Sequence, residues 1–275
     1  MPDAQIRSEL SLNYRLSGPE SAEVLLLITG LGGLQEGWFR QIPYFESRFR
    51  VLTFDNRGAG RSGVVDRPTS LREMAEDAVL LMDTLGIEAA HVWGVSMGGK
   101  IAQELALNWP NRVRRLILGC TTAGEEHRVE GPVKPLLRGS VGATEEEWLN
   151  TLVPRLFGRE YREKNANSMR AFAKSRVRHP QDPIGFARQW EAYEAFDSFD
   201  RLPRISHRTL VITGDEDSMT DPMNADVLVA KLPNAEKFVV PSAGHSFHIE
   251  QPQIVNPVVE RFLLDPSPTH SKAID

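Results

Sequence analysis

The sequence predicts an α/β protein: a mostly parallel central sheet with helices on both faces, interrupted by one helical insertion. Short, continuous apolar runs mark strands that are buried on both faces. These runs alternate with segments whose apolar residues recur at helical spacing, which is typical of a parallel sheet covered by helices. Between Thr121 and Pro203 the apolar runs stop and only helical spacing remains, so this stretch is predicted to be the insertion.

Most of the predicted strands lie in the first half of the chain. Residues 5–17 alternate weakly between apolar and polar side chains and predict an opening hairpin. Apolar runs then predict strands at 24–29, 49–54, 92–95 and 113–119. A loop rich in glycine, polar residues or both follows several of these strands, as expected where a parallel sheet presents its carboxyl edge.

Helices are predicted between these strands. Apolar residues at helical spacing cover 38–45, and a longer apolar stripe covers 71–85 before Gly86. The second helix opens with a capping box over 70–73, in which a serine and a glutamate each bind the other's backbone N–H. A further helical pattern begins after Gly98 and Gly99.

The second half of the chain contains the insertion and then a return to the sheet pattern. Residues 1–121 and 204–265 are predicted to form the core, with strands at 209–213 and 238–240 and a last helix over 252–264. Residues 122–203, called the cap segment below, are predicted to pack over the carboxyl edge of the sheet as a lid. Residues 266–275 are predicted to be a disordered tail.

The composition excludes several classes of protein. The chain has 275 residues, 41% of them hydrophobic and 25% charged, as in a globular protein. Its net charge of −5 and lack of a basic cluster argue against a nucleic-acid partner. No apolar run reaches the ~20 residues that span a bilayer, and no signal peptide opens the chain, so a cytoplasmic protein is expected. The single Cys120 excludes an internal disulfide and a cysteine-rich metal site.

One stretch of the chain carries the strongest chemical signal. Gly94-Val95-Ser96-Met97-Gly98 matches Gly-x-Ser-x-Gly, a nucleophile elbow. A serine at the apex of a sharp strand-to-helix turn has a strained backbone, and the residues two before and two after it nearly touch. Glycine at those two positions removes the side chains that would collide. The turn exposes the Ser96 hydroxyl beside the positive end of a helix.

Two other glycine motifs in the sequence match nucleotide-binding patterns in part. Residues 94–100 also fit the first seven positions of a P-loop, but the eighth is Ile101, which cannot bind magnesium. Residues 58–63 contain Gly-x-Gly-x-x-Gly, but the next helix starts only at Ser70, so no helix N-terminus is available for a dinucleotide phosphate. Both nucleotide-binding interpretations are therefore disfavoured.

A serine nucleophile requires a base and a carboxylate that orients the base. Residues that follow the strands of a parallel sheet converge on one crevice, and Ser96, Asp217 and His245 all occupy such positions. They occur in the chain order Ser, Asp, His that the elbow fold requires. His248 competes with His245 as the base, while Asp215 and Glu216 compete with Asp217 as the acid.

The oxyanion that forms during acyl transfer requires backbone donors. The N–H of Met97, at the head of the elbow helix, is the first candidate. The second is the N–H of Leu31, in the glycine loop over 29–33. The same loop is also explained as a tight turn, and one loop can serve both purposes.

These motifs together resemble the α/β-hydrolase fold family, over about residues 5–264 apart from the insertion. The matching features are the glycine loop at 29–33, Asp55-Asn56-Arg57-Gly58-Ala59-Gly60-Arg61-Ser62, the elbow, Gly214-x-x-Asp217, and Gly244-His245 followed by Glu250-x-Pro252. Two features depart from the family pattern: Thr29 replaces a common histidine, and the proline after Asp217 is one position later than in many members. A nucleophilic aspartate, used by related dehalogenases and epoxide hydrolases, is excluded by Ser96.

The sequence therefore predicts a serine hydrolase that cleaves a small carboxylic ester or lactone through an acyl-enzyme on Ser96. The layout is similar to that of enol-lactone hydrolases and small carboxylesterases. Carbon–carbon bond hydrolysis and acyl transfer use the same triad and stay open, and a non-catalytic ligand-binding protein is a remote alternative. No metal and no organic cofactor is expected, and the oligomeric state is left open. Four cap-segment aromatics are predicted either to line an acyl pocket or to pack within the cap segment: Trp148, Phe157, Phe172 and Trp190.

Overall fold

The computed structural model describes residues 1–129 and 140–266, and these residues form the predicted α/β architecture around an eight-stranded sheet. The strands are β1 (Asp3–Arg7), β2 (Leu10–Ser17), β3 (Val24–Ile28), β4 (Arg50–Phe54), β5 (Ala90–Val95), β6 (Val113–Gly119), β7 (Thr209–Gly214) and β8 (Ala235–Val240). Only the β1–β2 and β2–β4 pairs are antiparallel, so the predicted mostly parallel sheet is confirmed.

Helices cover both faces of this sheet. In the described residues they are α1 (Ile42–Phe45), α2 (Leu71–Thr84), α3 (Met97–Asn108), α4 (Glu145–Glu147), α5 (Val153–Leu156), α6 (Arg159–Lys164), α7 (Ala166–Arg178), α8 (Pro183–Glu194), α9 (Met223–Lys231), α10 (Phe247–Glu250) and α11 (Pro252–Leu264). Short 3₁₀ or π turns cover Gln35–Trp38, Pro110–Arg112, Trp148–Leu152 and Phe199–Arg204. Among the described residues, no helix is both long enough and apolar enough to cross a bilayer.

The strand order is β1-β2-β4-β3-β5-β6-β7-β8. This order determines where a crevice opens at the edge of the sheet. The chain moves from β3 to β4 on one side and then returns to place β5 on the other side of β3. Such a reversal opens a crevice at the carboxyl edge of the sheet. Because Ile28 of β3 lies opposite Gly94 of β5, the glycine loop and the elbow are neighbours.

The core consists of two apolar layers, one on each face of the sheet. Alternate side chains of β3 separate into them: Leu26 and Ile28 join the layer that α2 and α3 cover, while Leu25 and Leu27 join the layer that α1 and α11 cover. All four of these side chains are fully buried. This two-sided burial explains why β3 reads as a continuous apolar run rather than as an alternation.

The structure corrects several predicted boundaries. Helix α3 begins at Met97 and includes both glycines, whereas the sequence pattern placed its start after them. Strand β8 begins at Ala235 rather than at 238, and its first residues are exposed or half-exposed, as on a sheet edge, so no apolar run marks them. The capping box is only half formed: Ser70 Oγ accepts the Glu73 N–H (3.1 Å), but the Glu73 carboxylate binds arginines and a threonine instead.

The described part of the cap segment is helical, with α4 to α8 lying between β6 and β7. Its two ends meet, because Gly124 and Asp197 form an isolated antiparallel bridge and Ser198 N–H donates to Ala123 O (2.7 Å). The insertion therefore leaves and re-enters the core at one place. Of the predicted disordered tail, residues 267–275 lie outside the described residues.

Candidate active site

The elbow has the strained geometry that its sequence requires. Ser96 has φ 56° and ψ −121°, a left-handed region that residues other than glycine rarely adopt. Its backbone is held on both sides: the Ser96 N–H donates to Gly119 O (2.8 Å), and the Thr121 hydroxyl donates to Ser96 O (2.7 Å). The strain is thus fixed by hydrogen bonds to the last residue of β6 and to Thr121, which follows that strand.

The two glycines of the elbow are required by close backbone contact. A Cβ on Gly94 would lie 2.1 Å from Gly98 O, and a Cβ on Gly98 would lie 2.2 Å from Ile28 O. On the other side of the serine, a Cβ on Gly30 would approach the Ser96 side chain at 3.1 Å. The glycine loop therefore lies directly against the candidate nucleophile.

A buried histidine–carboxylate pair lies at the same sheet edge. His245 Nδ1 donates to Asp217 Oδ2 (2.9 Å), and the Asp217 side chain is fully buried. The other oxygen of Asp217 accepts the Met219 and Thr220 N–H groups, at 2.8 and 2.9 Å. These bonds fix the carboxylate, which in turn fixes the ring orientation of His245.

The competing residues have other contacts. Asp215 Oδ1 accepts the Ala243 N–H (3.2 Å), and Glu216 Oε2 accepts the N–H of Arg159 in the cap segment (2.7 Å). His248 is buried against Trp38, with ring centroids 4.9 Å apart, and burial lowers its pKa to about 3. None of these three residues takes part in the His245–Asp217 hydrogen bond. Their contacts therefore distinguish them from the base and the acid that the sequence favours.

The electrostatics of His245 favour the imidazolium, the form that the ring takes after it accepts a proton. Burial alone lowers its pKa, but the nearby negative charge more than offsets this and raises the pKa well above its ordinary value. Burial also raises the pKa of Cys120, so its side chain is a neutral thiol near neutral pH. The Asp217 carboxylate is therefore the charge that stabilises the imidazolium.

The Ser96 hydroxyl is partly exposed, and in the described residues it is not hydrogen-bonded to His245. Cys120 lies next to His245 and to the Ser96 backbone. It follows Gly119, which binds the Ser96 backbone, and its sulfur is within 4.8 Å of the His245 nitrogen. Such hydrogen bonds are often long without substrate and tighten when it binds.

Two backbone N–H groups of the glycine loop already have acceptors. The Gly33 N–H donates to Gly30 O (3.0 Å), and the Gly32 N–H donates to Gln189 Oε1 in the cap segment (2.9 Å). Among the described residues, the N–H groups of Leu31 and Met97 have no acceptor. These are the two N–H groups that the sequence pattern selected as oxyanion donors.

Comparison with known proteins identifies the family of this chain. The sequence profile of the α/β hydrolase fold matches residues 23–252. The chain belongs to the α/β-hydrolase fold family. This match confirms the predicted fold and the prediction that the protein is a hydrolase of this family.

The names of similar proteins give different activities. This α/β-hydrolase is 29% identical over 253 residues to 3-oxoadipate enol-lactonase 1 of Acinetobacter baylyi, covering 90% of this chain and 91% of that protein. It is 31% identical over 257 residues to a putative carbamate hydrolase, RutD, of Caulobacter vibrioides, covering 92% and 95%. The crystal structure of an enol-lactonase from Burkholderia xenovorans superimposes with a TM-score of 0.85 at 28% identity, covering 96% of this chain and all of that chain.

The four predicted aromatics of the α/β-hydrolase cap segment fall into two groups. Trp148, Phe157 and Phe172 form one cluster, with ring centroids 5.9 Å apart for Trp148–Phe172 and 5.2 Å for Phe157–Phe172. Trp190 lies in another, 5.8 Å from the Tyr193 ring. All four contact other cap-segment side chains, so packing within the cap segment is observed. Their role in an acyl pocket stays a prediction.

Among the described residues of this α/β-hydrolase, one group could hold a metal ion: Cys120, Asp217 and His245, whose ligand atoms lie within 4.8 Å of one another. The His245–Asp217 hydrogen bond already engages one nitrogen and one oxygen of this group. That arrangement also fits proton transfer, for which no ion is required. The expected lack of a metal or organic cofactor stays a prediction.

Sequence reasoning missed two groups at the α/β-hydrolase site. Cys120 directly follows β6, so the rule that selected Ser96, Asp217 and His245 could have selected it as well. Glu250 was noted only as part of a motif, although its carboxylate accepts the N–H of Gly244, next to His245, at 3.0 Å. No local pattern shows that contact in advance.

Proposed function

We propose that this α/β-hydrolase is a serine hydrolase that cleaves a carboxylic ester or lactone through an acyl-enzyme on Ser96. The observation that carries the proposal is the convergence of two independent features at one sheet edge. The strained elbow exposes Ser96, and the buried Asp217–His245 pair supplies a base whose orientation is fixed. A purely binding protein has no need of both features.

In the proposed mechanism, Ser96 Oγ attacks the substrate carbonyl carbon while His245 Nε2 accepts the hydroxyl proton. The negative charge that develops on the carbonyl oxygen is stabilised by the N–H groups of Leu31 and Met97. The tetrahedral intermediate collapses, the C–O bond breaks, and His245 returns the proton to the leaving alkoxide. A lactone opens in this step without losing a fragment.

The second half of the reaction regenerates the serine. Water enters, His245 accepts one of its protons, and the hydroxide attacks the acyl carbon. The bond to Ser96 Oγ then breaks, and His245 protonates the serine. Asp217 keeps the imidazole in the required tautomer throughout, and its charge stabilises the imidazolium formed at each attack.

The similar proteins support a hydrolytic function, but their names specify different bonds that are cleaved. One is called an enol-lactonase and another a putative carbamate hydrolase, both at about 30% identity. All of these substrates present a carbonyl carbon that a serine can attack. The small ester or lactone is favoured because enol-lactonases occur in both the sequence and the structural comparison.

The test uses p-nitrophenyl butyrate with the parent protein and Ser96→Ala. Loss of the nucleophile is expected to lower kcat by ~10⁴-fold or more, because the triad acts as a unit. Ser47→Ala is the matched control, since Ser47 is an exposed serine whose hydroxyl bonds only Tyr44 O. Equal, slow nitrophenol release by the parent and by Ser96→Ala would contradict the proposal.

A second readout identifies the acylated atom. A fluorophosphonate is expected to add one phosphonyl group to the parent and to Ser47→Ala, detected by intact-mass spectrometry and mapped to the peptide that contains Ser96. The Ser96→Ala variant is expected to keep its unmodified mass. Labelling on another residue would exclude Ser96 as the nucleophile.

A further inference from the structure

Arg176 is a cap-segment residue whose guanidinium lies against the glycine loop. Its Nη1 donates to Gly32 O (3.0 Å), and Gln181 Nε2 donates to the same oxygen (2.8 Å). Gly32 directly follows Leu31, the proposed oxyanion donor. The positive charge of Arg176 therefore contacts the residue that follows Leu31, whose N–H would bind the substrate carbonyl.

This guanidinium has no negative partner among the described residues. Burial lowers the pKa of Arg176 to about 10, and no nearby charge offsets that effect. The side chain as a whole keeps some exposure, but its Nε is enclosed and has no acceptor. Even at a pKa of about 10 the group is a cation at neutral pH.

Two more deeply buried arginines, Arg57 and Arg128, have acidic partners. Arg57 binds both oxygens of Asp77 and also Glu73, and Arg128 lies 3.4 Å from Glu125. A buried cation normally has such a partner, because its desolvation is costly. Among the described residues, Arg176 therefore differs from Arg57 and Arg128, because it has no acidic partner.

The guanidinium of Arg176 also lies against an aromatic cluster of the cap segment. The Trp148 ring lies 5.1 Å from its guanidinium carbon, and Phe172 lies one helical turn before it on α7. Trp148 and Phe172 are in contact with each other. The Arg176 guanidinium thus contacts both this aromatic cluster and the glycine loop.

We propose that Arg176 binds a carboxylate on the acyl portion of the substrate, which makes the substrate class an ester or lactone that also carries a carboxylate. The inference rests on the proposed serine hydrolase function. A carboxylate would supply the missing counter-charge and accept from the free donors of the guanidinium fork. A neutral acyl chain of the same length leaves that charge uncompensated.

The test compares two esters that differ only in this group: p-nitrophenyl butyrate and the mono-p-nitrophenyl ester of glutaric acid. The parent is expected to prefer the carboxylate ester in kcat/KM. Arg176→Gln and Arg176→Met are expected to lower kcat/KM for that ester on the order of 10- to 100-fold, mainly through KM. The neutral ester is expected to change less than about threefold. Arg178→Gln, an exposed arginine on the same helix, is the matched control and should behave like the parent.

An equal loss on both esters would overturn the inference, since it would assign Arg176 only to holding the glycine loop. No preference in the parent would overturn it as well, and that comparison remains decisive if neither variant folds by circular dichroism. Calorimetric binding of glutarate to Ser96→Ala, lost in Ser96→Ala/Arg176→Gln, tests the site without turnover. Glutarate binding without ester hydrolysis by the parent would refute the proposed function while supporting the subsite.

Discussion

At the residue scale, the site shows how environment separates chemically similar side chains. Asp215, Glu216 and Asp217 are consecutive, yet each binds a different segment: the turn after β8, the cap segment and His245. The difference comes from the direction in which each side chain leaves the loop after β7. Of these three carboxylates, only that of Asp217 contacts the imidazole of His245, and it therefore raises the pKa of that ring.

The first prediction concerns Asp217→Asn. The variant loses the charge that raises the pKa of His245, and the amide favours the wrong tautomer, so kcat is expected to fall about 10⁴-fold. The acid limb of the pH dependence of kcat/KM, which reports the base in the free enzyme, is expected to move to lower pH. The measurement is p-nitrophenyl butyrate hydrolysis from pH 5 to 9.

Asp215→Asn is the control for that experiment, because Asp215 lies in the same loop but binds only the Ala243 N–H. It should keep the parent's acid limb. A limb that stays in place in Asp217→Asn, or that moves equally in both variants, would show that Asp217 does not set the pKa of the base.

At the element scale, the elbow depends on how closely β3, β5 and α3 approach one another. Gly98 is in the first turn of α3, and its α-carbon faces the carbonyls of Ile28 and Thr29 at the end of β3. The contact lets the helix begin immediately after Ser96. The close approach of these three elements therefore accounts for both the strand register and the exposure of the Ser96 nucleophile.

The second prediction concerns Gly98→Ala. The added Cβ would lie 2.2 Å from Ile28 O, so backbone must move, and the free energy of unfolding is expected to fall by about 1–3 kcal/mol. Activity is expected to fall as well, because the displaced segment includes Ser96 and the glycine loop. Urea denaturation followed by fluorescence measures the first effect, and ester hydrolysis measures the second.

Gly37→Ala is the matched control, because no atom lies within 4 Å of the added Cβ and the backbone is not left-handed. It is expected to change the free energy of unfolding by no more than about 0.5 kcal/mol. If both alanine variants unfolded at the same urea concentration, the close packing at Gly98 would not be a real constraint.

At the scale of the whole molecule, the cap segment is bound directly to the loop that carries His245. The Glu250 carboxylate accepts the Gly158 N–H (2.8 Å) from the cap segment and the Gly244 N–H (3.0 Å) from the histidine loop. The Ser246 N–H donates to Leu156 O (2.8 Å). Movement of the cap segment would therefore be transmitted to the position of the base.

The third prediction concerns the pH dependence of stability that Glu250 causes. Its burial raises the pKa to about 7 from an ordinary 4.5, with Asp217 and Glu216 adding to the effect. Between these values the folded state holds a proton that the unfolded state releases, so this group's contribution to stability falls as pH rises through that window. The total change is about 3 kcal/mol. Glu250→Gln cannot titrate and should lack this fall.

The measurement is the free energy of unfolding of the parent and Glu250→Gln at pH 5 and pH 8. The difference between the two proteins is expected to shift in favour of the variant at the higher pH. Glu163→Gln, an exposed cap-segment glutamate, should follow the parent. Parallel curves for the parent and Glu250→Gln would show that Glu250 titrates normally.

Some predictions at this scale remain expectations. The cytoplasmic location, the lack of a nucleic-acid partner and the division at residues 121 and 204 rest on the sequence pattern. The structure adds that the two ends of the insertion are joined at Gly124 and Asp197. The fold and family membership are confirmed by the sheet topology and by the profile match.

The sequence alone determined the strand–helix alternation, the elbow around Ser96 and the chain order of Ser96, Asp217 and His245. These features are local, because burial on both faces of a strand and crowding at a tight turn restrict residues that are close in the chain. The misplaced start of β8 has the same explanation: an exposed edge strand leaves no apolar run.

Only the tertiary structure decided which side chains become partners. Glu250 and Gly158 are 92 residues apart, and Arg176 and Gly32 are 144 apart. No periodicity links such pairs, since the sheet order and the docking of the cap segment bring them together. Within residues 1–129 and 140–266, the lack of a carboxylate beside Arg176 is likewise a property of three-dimensional packing, which no local sequence pattern shows.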